Sequence, residues 1–474
     1  PLNSNHATDL RNDVSPQLAT DGAGHWVAVW VTDDDLGGTI GTDEDIIVAR
    51  SADNGETWSS VTALNSTAAI DASNIDDRAP QIATDGNGNW IAVWFSSDDV
   101  GGTIGNDFDI LYAMSSDNGA SWSAPAPLNS TAATDSGTDV FPRIATDAQG
   151  TWMAVWTSGE DVGGAIGSDL DILYCTSNDN GMTWSLPIAL NGNANIDSGF
   201  DSDAQIATDG RGNWTAVWWS SDSLGGAIDG DSDILSSNSA DNGVTWSLPS
   251  ALNDYAALDS ANDVLPTIDT DRRGNWVAAW QSRYDMTGTI GIDDDIVFTY
   301  SNDAGHTWAE AAPLNLNAGI DTRPDDSVSV AADGRGNWLS VWRSQDDLGG
   351  TIEIDPDIIY SKFHIPPASA DVNSNGVPDE CEDDCNLNGI PDDIDIAAGT
   401  SEDCNFSALP DECELTGNDC DTNGIPDECD TDCNTNGTPD ACEAFTDCNT
   451  NAAPDECESD TDTDGFIDAC DNCP

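Results

Sequence analysis

The chain has 474 residues, 88 acidic and 12 basic, for a formal charge of −76. That balance excludes nucleic acid and anionic membrane as partners, because phosphate recognition needs a basic footprint, and it favours cations. No apolar run reaches transmembrane length or reads as a signal-peptide core, and the start at Pro1 rather than Met suggests a processed or trimmed end.

Cys175 stands alone before residue 370, the other twelve cysteines lie between Cys381 and Cys473, and all 18 tryptophans precede residue 343. Two unlike parts are therefore expected, residues 1–363 and 371–474, joined by the linker 364–370 (HIPPASA). Dense, regularly spaced cysteines imply disulfides and an oxidising, extracellular or cell-surface location.

The first part repeats. S-x-D-x-G-x-x-W recurs at Ser51, Ser115, Ser177, Ser239 and Ser301, and a tryptophan-rich hexapeptide recurs six times, from HWVAVW (25–30) to NWLSVW (337–342). In the unit that starts near Asp71, a first strand is expected at 81–84, a DGNG turn at 85–88 and a second strand at 90–95. Trp90, Ala92 and Trp94 share one face of that strand, and Ile91, Val93 and Phe95 the other. Two apolar faces mean cover on both sides. A third strand at 110–114 and an outer strand ending in PLN (127–129) complete the unit.

Four strands in each of six units predict an all-β, six-bladed β-propeller. The sixth unit lacks its outer strand, and the chain begins with PLN (1–3), so residues from both ends are expected to close that blade.

The octapeptide resembles the Asp-box of sialidase and BNR-repeat propellers, a turn between the third and fourth strands of a blade. The resemblance implies the fold and, by itself, no activity. Family members that are sialidases use three arginines, a Tyr/Glu pair and an Asp. The arginines on offer are Arg11, Arg78, Arg143, Arg283, Arg323 and Arg343, with Tyr255 and Tyr284 as nucleophiles. The match is poor, since Arg143-Ile144 is followed by Ala145 instead of Pro, and near-identical loops do not build a catalytic site. A sialidase-like glycosidase is therefore the minority expectation.

Opposite the Asp-boxes, two acidic loops per unit should gather. One carries D-x-x-x-D, as in Asp197/Asp201 and Asp259/Asp263, and the other D-x-D, as in Asp169/Asp171, Asp231/Asp233 and Asp293/Asp295. They read either as solvated turns or as further cation sites.

The tail reads as seven calcium loops, with oxygen ligands at positions 1, 3, 5, 7 (a backbone carbonyl), 9 and 12. Loop one would use Asp371, Asn373, Asn375, Val377, Asp379 and Glu382, and loop two Asp384, Asn386, Asn388, Ile390, Asp392 and Asp395. Loop three would use Asp403, Asn405, Ser407, Leu409, Asp411 and Glu414, and loop four Asp419, Asp421, Asn423, Ile425, Asp427 and Asp430. Loop five has Asp432, Asn434, Asn436, Thr438, Asp440 and Glu443, and loop six Asp447, Asn449, Asn451, Ala453, Asp455 and Glu458. Loop seven closes the series with Asp460, Asp462, Asp464, Phe466, Asp468 and Asp471.

Spacings of 13 to 19 residues leave no room for EF-hand helices. The tail instead resembles thrombospondin type 3 repeats, most closely over SDTDTDGFIDACDNCP (459–474), and similar tails occur on surface proteins of Planctomycetes-like bacteria. About seven Ca²⁺ are expected, with affinities on the order of 10⁻⁴–10⁻³ M because Asn often replaces Asp at positions 3 and 5. Cysteines recur at positions 2 and 11. Pairing within loops three to six would leave Cys381–Cys385 and Cys470–Cys473, and pairing between neighbouring loops is the alternative.

Sequons stand at Asn65, Asn129, Asn213, Asn405 and Asn436. The expected function is a secreted, non-catalytic, calcium-binding surface or fibre-forming subunit. Its expected partner is itself, in a polymer, or a surface glycan, in which case the propeller is an adhesive module on a calcium stalk.

Overall fold

The computed structural model describes residue 2 and residues 11–471, except 70–75, 163–165, 287–289, 349–354, 366–382, 387–389 and positions 135, 168, 292, 316, 321 and 452. The chain divides into two compact units, residues 1–368 and 369–474.

The first unit is a six-bladed β-propeller. In blade two the innermost strand Asp77–Thr84 pairs with Trp90–Ser96, then Asp109–Ser115, then the two-residue Ala126–Pro127. Every pairing is antiparallel and links consecutive strands, so local turn chemistry sets the register. At the first turn, Asp85 Oδ1 accepts the backbone N–H groups of Asn87 (2.8 Å) and Asn89 (3.1 Å). Blades one, three, four and five repeat this order, and blade six contributes three strands. Its closure by residues 1–3 lies outside the described residues, apart from Leu2, which is in no strand.

The expected two-sided burial is present. Trp90, Ala92 and Trp94 pack on Val27, Val29 and Val31 of blade one, while Ile91, Val93 and Phe95 pack on Trp152, Ala154 and Trp156 of blade three. Each such indole is fully buried, which stabilises the junction by about 5 kcal/mol before entropy, from ~200 Å² of apolar surface.

The junction between blades six and one differs from the other five. Across the last sheet Leu339 pairs with Lys362, Val341 with Tyr360 and Arg343 with Ile358, so these six share one face. Leu339, Ile358 and Tyr360 are 40%, 73% and 63% exposed, whereas Val277 and Ile296, the blade-five counterparts of Leu339 and Ile358, are fully buried. Blade one presents the complementary half: Leu18, paired with Ala28, is 55% exposed, while its counterpart Ile268 is buried.

The second unit is the tail; its described residues form no strand, and their regular structure is slight. Single 3-10 turns begin at Asp411, Asp427, Asp440 and Asp455. Among the described residues the tail has one α-helix, the seven-residue Asp392–Ala398, in keeping with the expectation of little regular structure. It fills the longest interval between loops, and Gly399, at φ 72°, ends it by donating to the Asp395 and Ile396 carbonyls.

Five disulfides join Cys385–Cys413, Cys404–Cys429, Cys420–Cys442, Cys433–Cys457 and Cys448–Cys470. Position 2 of each of loops two to six thus pairs with position 11 of the loop that follows. The within-loop alternative, with Cys381–Cys385 and Cys470–Cys473, is overturned, because Cys385 and Cys470 are bonded elsewhere. Within a loop the backbone turns about its own ligands and holds positions 2 and 11 to separate neighbours; across loops the Cα atoms come to 5.6–6.2 Å, a bondable span. Cys381 and Cys473 lie outside the described residues.

His364 ends the last propeller strand and Ile365 is buried in the blade-six core, so the linker begins after them, not at 364. Apolar packing of Ile365 is the reason.

Candidate functional site

Loops three to seven share one hydrogen-bonding plan. The carboxylate at position 1 accepts backbone N–H groups from farther along the loop, as Asp403 does from Ser407 (2.9 Å) and Ala408 (3.0 Å) and Asp419 from Asn423 (3.0 Å) and Gly424 (3.1 Å). Position 9 reaches back to the N–H of position 2: Asp427 to Cys420 (2.8 Å), Asp455 to Cys448 (2.9 Å) and Asp468 to Thr461 (2.8 Å). Position 4 adopts a left-handed backbone each time, at Phe406, Thr422, Thr435, Thr450 and Thr463. These bonds wrap each loop around its own side chains.

Positions 3, 5 and 12 meet at the centre. Asn405 and Ser407 donate to Glu414 at 2.9 and 3.0 Å, and Asn434 and Asn436 to Glu443 at 2.9 and 2.7 Å. Asn449 and Asn451 reach Glu458 at 2.9 and 2.8 Å, and Asn423 reaches Asp430 at 2.9 Å. A half-turn of each amide presents its oxygen in place of its nitrogen, so the donor set fits a hard cation. Loop two shares part of the plan: Asp392 accepts the Cys385 N–H at 2.9 Å and Asp395 the Asn386 amide at 3.3 Å. Loop one, Asp371 to Glu382, and Asn388 lie outside the described residues.

Each disulfide also lies beside a position-9 carboxylate, as Cys404 and Cys429 do beside Asp411. Disulfide sulfur is not a thiolate, so these groups are not metal ligand sets.

In the propeller, the acidic loops converge on the asparagine that ends each PLN-type segment, a role that sequence reasoning does not assign to it. Asn65, Asn129, Asn191, Asn253 and Asn315, the last residue of each PLN-type segment, are buried. Each donates its amide nitrogen to two aspartates, one from its own blade and one from the next. Asn191 reaches Asp171 (2.9 Å) and Asp201 (2.7 Å), and Asn253 reaches Asp233 (3.0 Å) and Asp263 (2.8 Å). The recurrence of this Asn 20 residues after the D-x-D aspartate was the available signal. Because Asn65 and Asn129 are held this way, their sequons are not open to a glycan in the fold.

Burial and neighbouring carboxylates push several of these acids up. Asp233 rises to about 7 despite its bond from Asn253, with Asp231, Asp259 and Asp229 adding to the burial effect. Asp197 rises to about 7 and Asp171 to about 6, burial again leading.

The Asp-boxes are structural turns. In the second, Ser115 Oγ donates to Asp117 (2.8 Å) and accepts the Gly119 N–H (3.0 Å), and Asp117 accepts the Ser121 N–H (2.8 Å) and hydroxyl (2.6 Å). The Ser121 hydroxyl leads the causes that hold Asp117 down at about 2. Gly181, at φ 82°, sits where a Cβ would strike Ile91 of the preceding blade, so glycine is required twice over.

The arginines do not converge. Arg78 pairs with Glu44 and Asp76, Arg283 with Asp294 (2.9 Å) and Arg343 with Asp326 (3.1 Å). Arg143 points into a central cavity of about 360 Å³ shared by all six blades, where it donates to Gln205 at 2.9 Å beside Gln17, Gln81, Thr267 and Ser329. Tyr255 and Tyr284 stack on each other at 4.5 Å.

No helix among the described residues is long and apolar enough to cross a membrane. No curated protein matches the chain in sequence. Solved structures similar to it include a Hadza microbial sialidase (16% identity, TM-score 0.44), covering 74% of this chain and 66% of that one. The chain thus spans just under two thirds of that sialidase's length. A leech intramolecular trans-sialidase gives 13% identity and a TM-score of 0.46, over 76% of this chain and 69% of that one. A Penicillium chrysogenum alpha-L-arabinanase gives 13% and 0.44, over 74% and 93%. The BNR repeat-like domain matches residues 88–346, more than half of the sequence, and the chain belongs to that family.

Proposed function

We propose that this is a secreted, non-catalytic, calcium-binding structural protein, a surface or fibre-forming subunit that assembles through its propeller and its calcium-stapled tail. The observation that carries the reading is the meeting of positions 3, 5 and 12 in loops three to six. Oxygen donors spaced this way bind Ca²⁺, and the Asn content sets extracellular affinities on the order of 10⁻⁴–10⁻³ M. With bound ions the residues of each loop hold the cation, and the disulfides pass that order to the next loop. An oxidising, extracellular location agrees with five disulfides.

Self-association is supported by the two exposed halves of one blade junction. Leu339, Ile358 and Tyr360 on blade six match the face of blade one that carries Leu18. Blade six of one copy against blade one of the next is a contact between unlike surfaces, which propagates into a fibre unless its rotation closes a ring. Calcium titration of the full chain, followed by calorimetry, light scattering and electron microscopy, tests both parts. The reading expects about seven ions in the tail and polymers that EDTA shortens and Tyr360→Asp prevents. Absence of calcium uptake refutes the first part, and a monomer at millimolar calcium refutes the second.

The amide-lined central cavity favours a second reading, a glycan-binding adhesive propeller, which a glycan array would test. Hydrolysis of a fluorogenic sialoside would support the sialidase-like alternative.

A further inference from the structure

We propose that the junction between blades four and five holds a divalent cation of the calcium type on the carboxylates of Asp229, Asp231, Asp233 and Asp259. This site is separate from the tail and does not depend on the tail's binding calcium.

Two loops build it. Asp229, Asp231 and Asp233 come from the loop before the third strand of blade four; Asp259 and Asp263 come from the loop before the first strand of blade five. The loops are tied by the Asp229 N–H to the Ala256 carbonyl (3.1 Å) and the Asp263 N–H to the Ser232 carbonyl (2.6 Å). Asn253 ties Asp233 to Asp263 from below. The carboxylates therefore cannot swing apart to relieve their repulsion.

Asp259 is the telling residue. It is 95% buried, and no hydrogen bond from another residue reaches either carboxylate oxygen. The same holds for both oxygens of Asp231 and for Oδ2 of Asp233. The charged groups that act on Asp259 are Asp231 and Asp229, both of its own sign. The buried oxygens of Asp231, Asp233 and Asp259, with no donor from another residue and the exposed Asp229 beside them, make an arrangement that a hard cation satisfies and water does not neutralise.

Blade four also differs from its neighbours in the direction this requires. The position of Asp229 is glycine in the other four complete blades: Gly41, Gly105, Gly167 and Gly291. A Cβ built at any of those glycines presses on the first aspartate of the D-x-D pair. Asp229 thus adds a carboxylate beside Asp231, Asp233 and Asp259.

The tail contains neither tyrosine nor tryptophan, whereas Tyr255 stands beside Asp259 and Asp263. Terbium added to the full chain and excited through the aromatic residues should therefore emit from this site, and calcium should quench the emission by competition. Asp229→Gly, which restores the residue of the other blades and is safe for folding, should weaken terbium binding roughly tenfold. Asp231→Asn should do so by more, and Glu458→Gln in the tail should reduce total calcium uptake without altering the emission. Wild-type protein that gives no sensitised emission, or Asp229→Gly and Asp231→Asn variants that titrate like wild type, would overturn the site while leaving the tail reading intact.

Discussion

Trp94 in blade two is fully buried between two neighbouring blades, whereas Phe466 in the last tail loop is 64% exposed. The contrast runs through the molecule. The propeller closes five of its junctions with indoles and branched aliphatics, and adds polar clamps at its rim. The tail has almost no apolar core and is shaped by side-chain-to-backbone hydrogen bonds, disulfides and the ions we assign to it. Repetition alone thus does not decide how a repeat is stabilised; what each unit can bury does.

The largest effect expected separates the two parts outright. Reduction together with chelation should unfold the tail completely, since cross-links enclosing about 22–28 residues contribute roughly 3–4 kcal/mol each in the chain-entropy account. Tryptophan fluorescence, which reports only the propeller, should stay native. Loss of the native tryptophan spectrum under those conditions would break the comparison.

Next is the propeller core. Trp94→Ala should cost about 3–5 kcal/mol in denaturant unfolding, because a cavity at a dry junction cannot collapse, and should leave the tail untouched. Asn191→Ala should cost less, about 2–3 kcal/mol, by leaving Asp171 and Asp201 buried without their shared donor. A melting point unchanged by Asn191→Ala would remove the clamp from the argument.

The fourth test is pH. Asp197, Asp233 and Asp295 are raised to about 7, and Asp171 and Asp259 to about 6, above the ordinary value of 3.8. The folded state therefore holds protons that the unfolded state has released, so in chelator propeller stability should fall as pH rises from 5 to 8. Millimolar calcium should flatten that slope. A melting point that rises with pH in EDTA would contradict the assigned burial. Ser115→Ala should have the smallest effect, about 1 kcal/mol, for one turn among five.

Much of this was legible in the sequence. A two-residue alternation carrying tryptophan on one face and aliphatics on the other dictates a strand covered on both sides, and six copies dictate the blade count. The Asp-box dictates its own turn. The asparagine clamp was hidden because its partners lie in two blades, so its role appears only when consecutive repeats are placed side by side. The exposed blade-six face was hidden for the opposite reason: NWLSVW reads like its buried counterparts, and only the neighbour's position differs. Disulfide connectivity was undecided because positions 2 and 11 recur with one period in every loop. The short helix Asp392–Ala398 leaves only two traces in the sequence, an interval between loops longer than its neighbours and a glycine stop at Gly399.

The staggered disulfides have a mechanical consequence. The rings 385–413, 404–429, 420–442, 433–457 and 448–470 overlap without a break. A protease that cuts one peptide bond anywhere from 385 to 470 leaves both fragments covalently joined through a sulfur bridge. A pulling force along the chain is likewise carried past any single loop that opens, so the tail behaves as a laced strap, in which one broken stitch neither lengthens it much nor parts it.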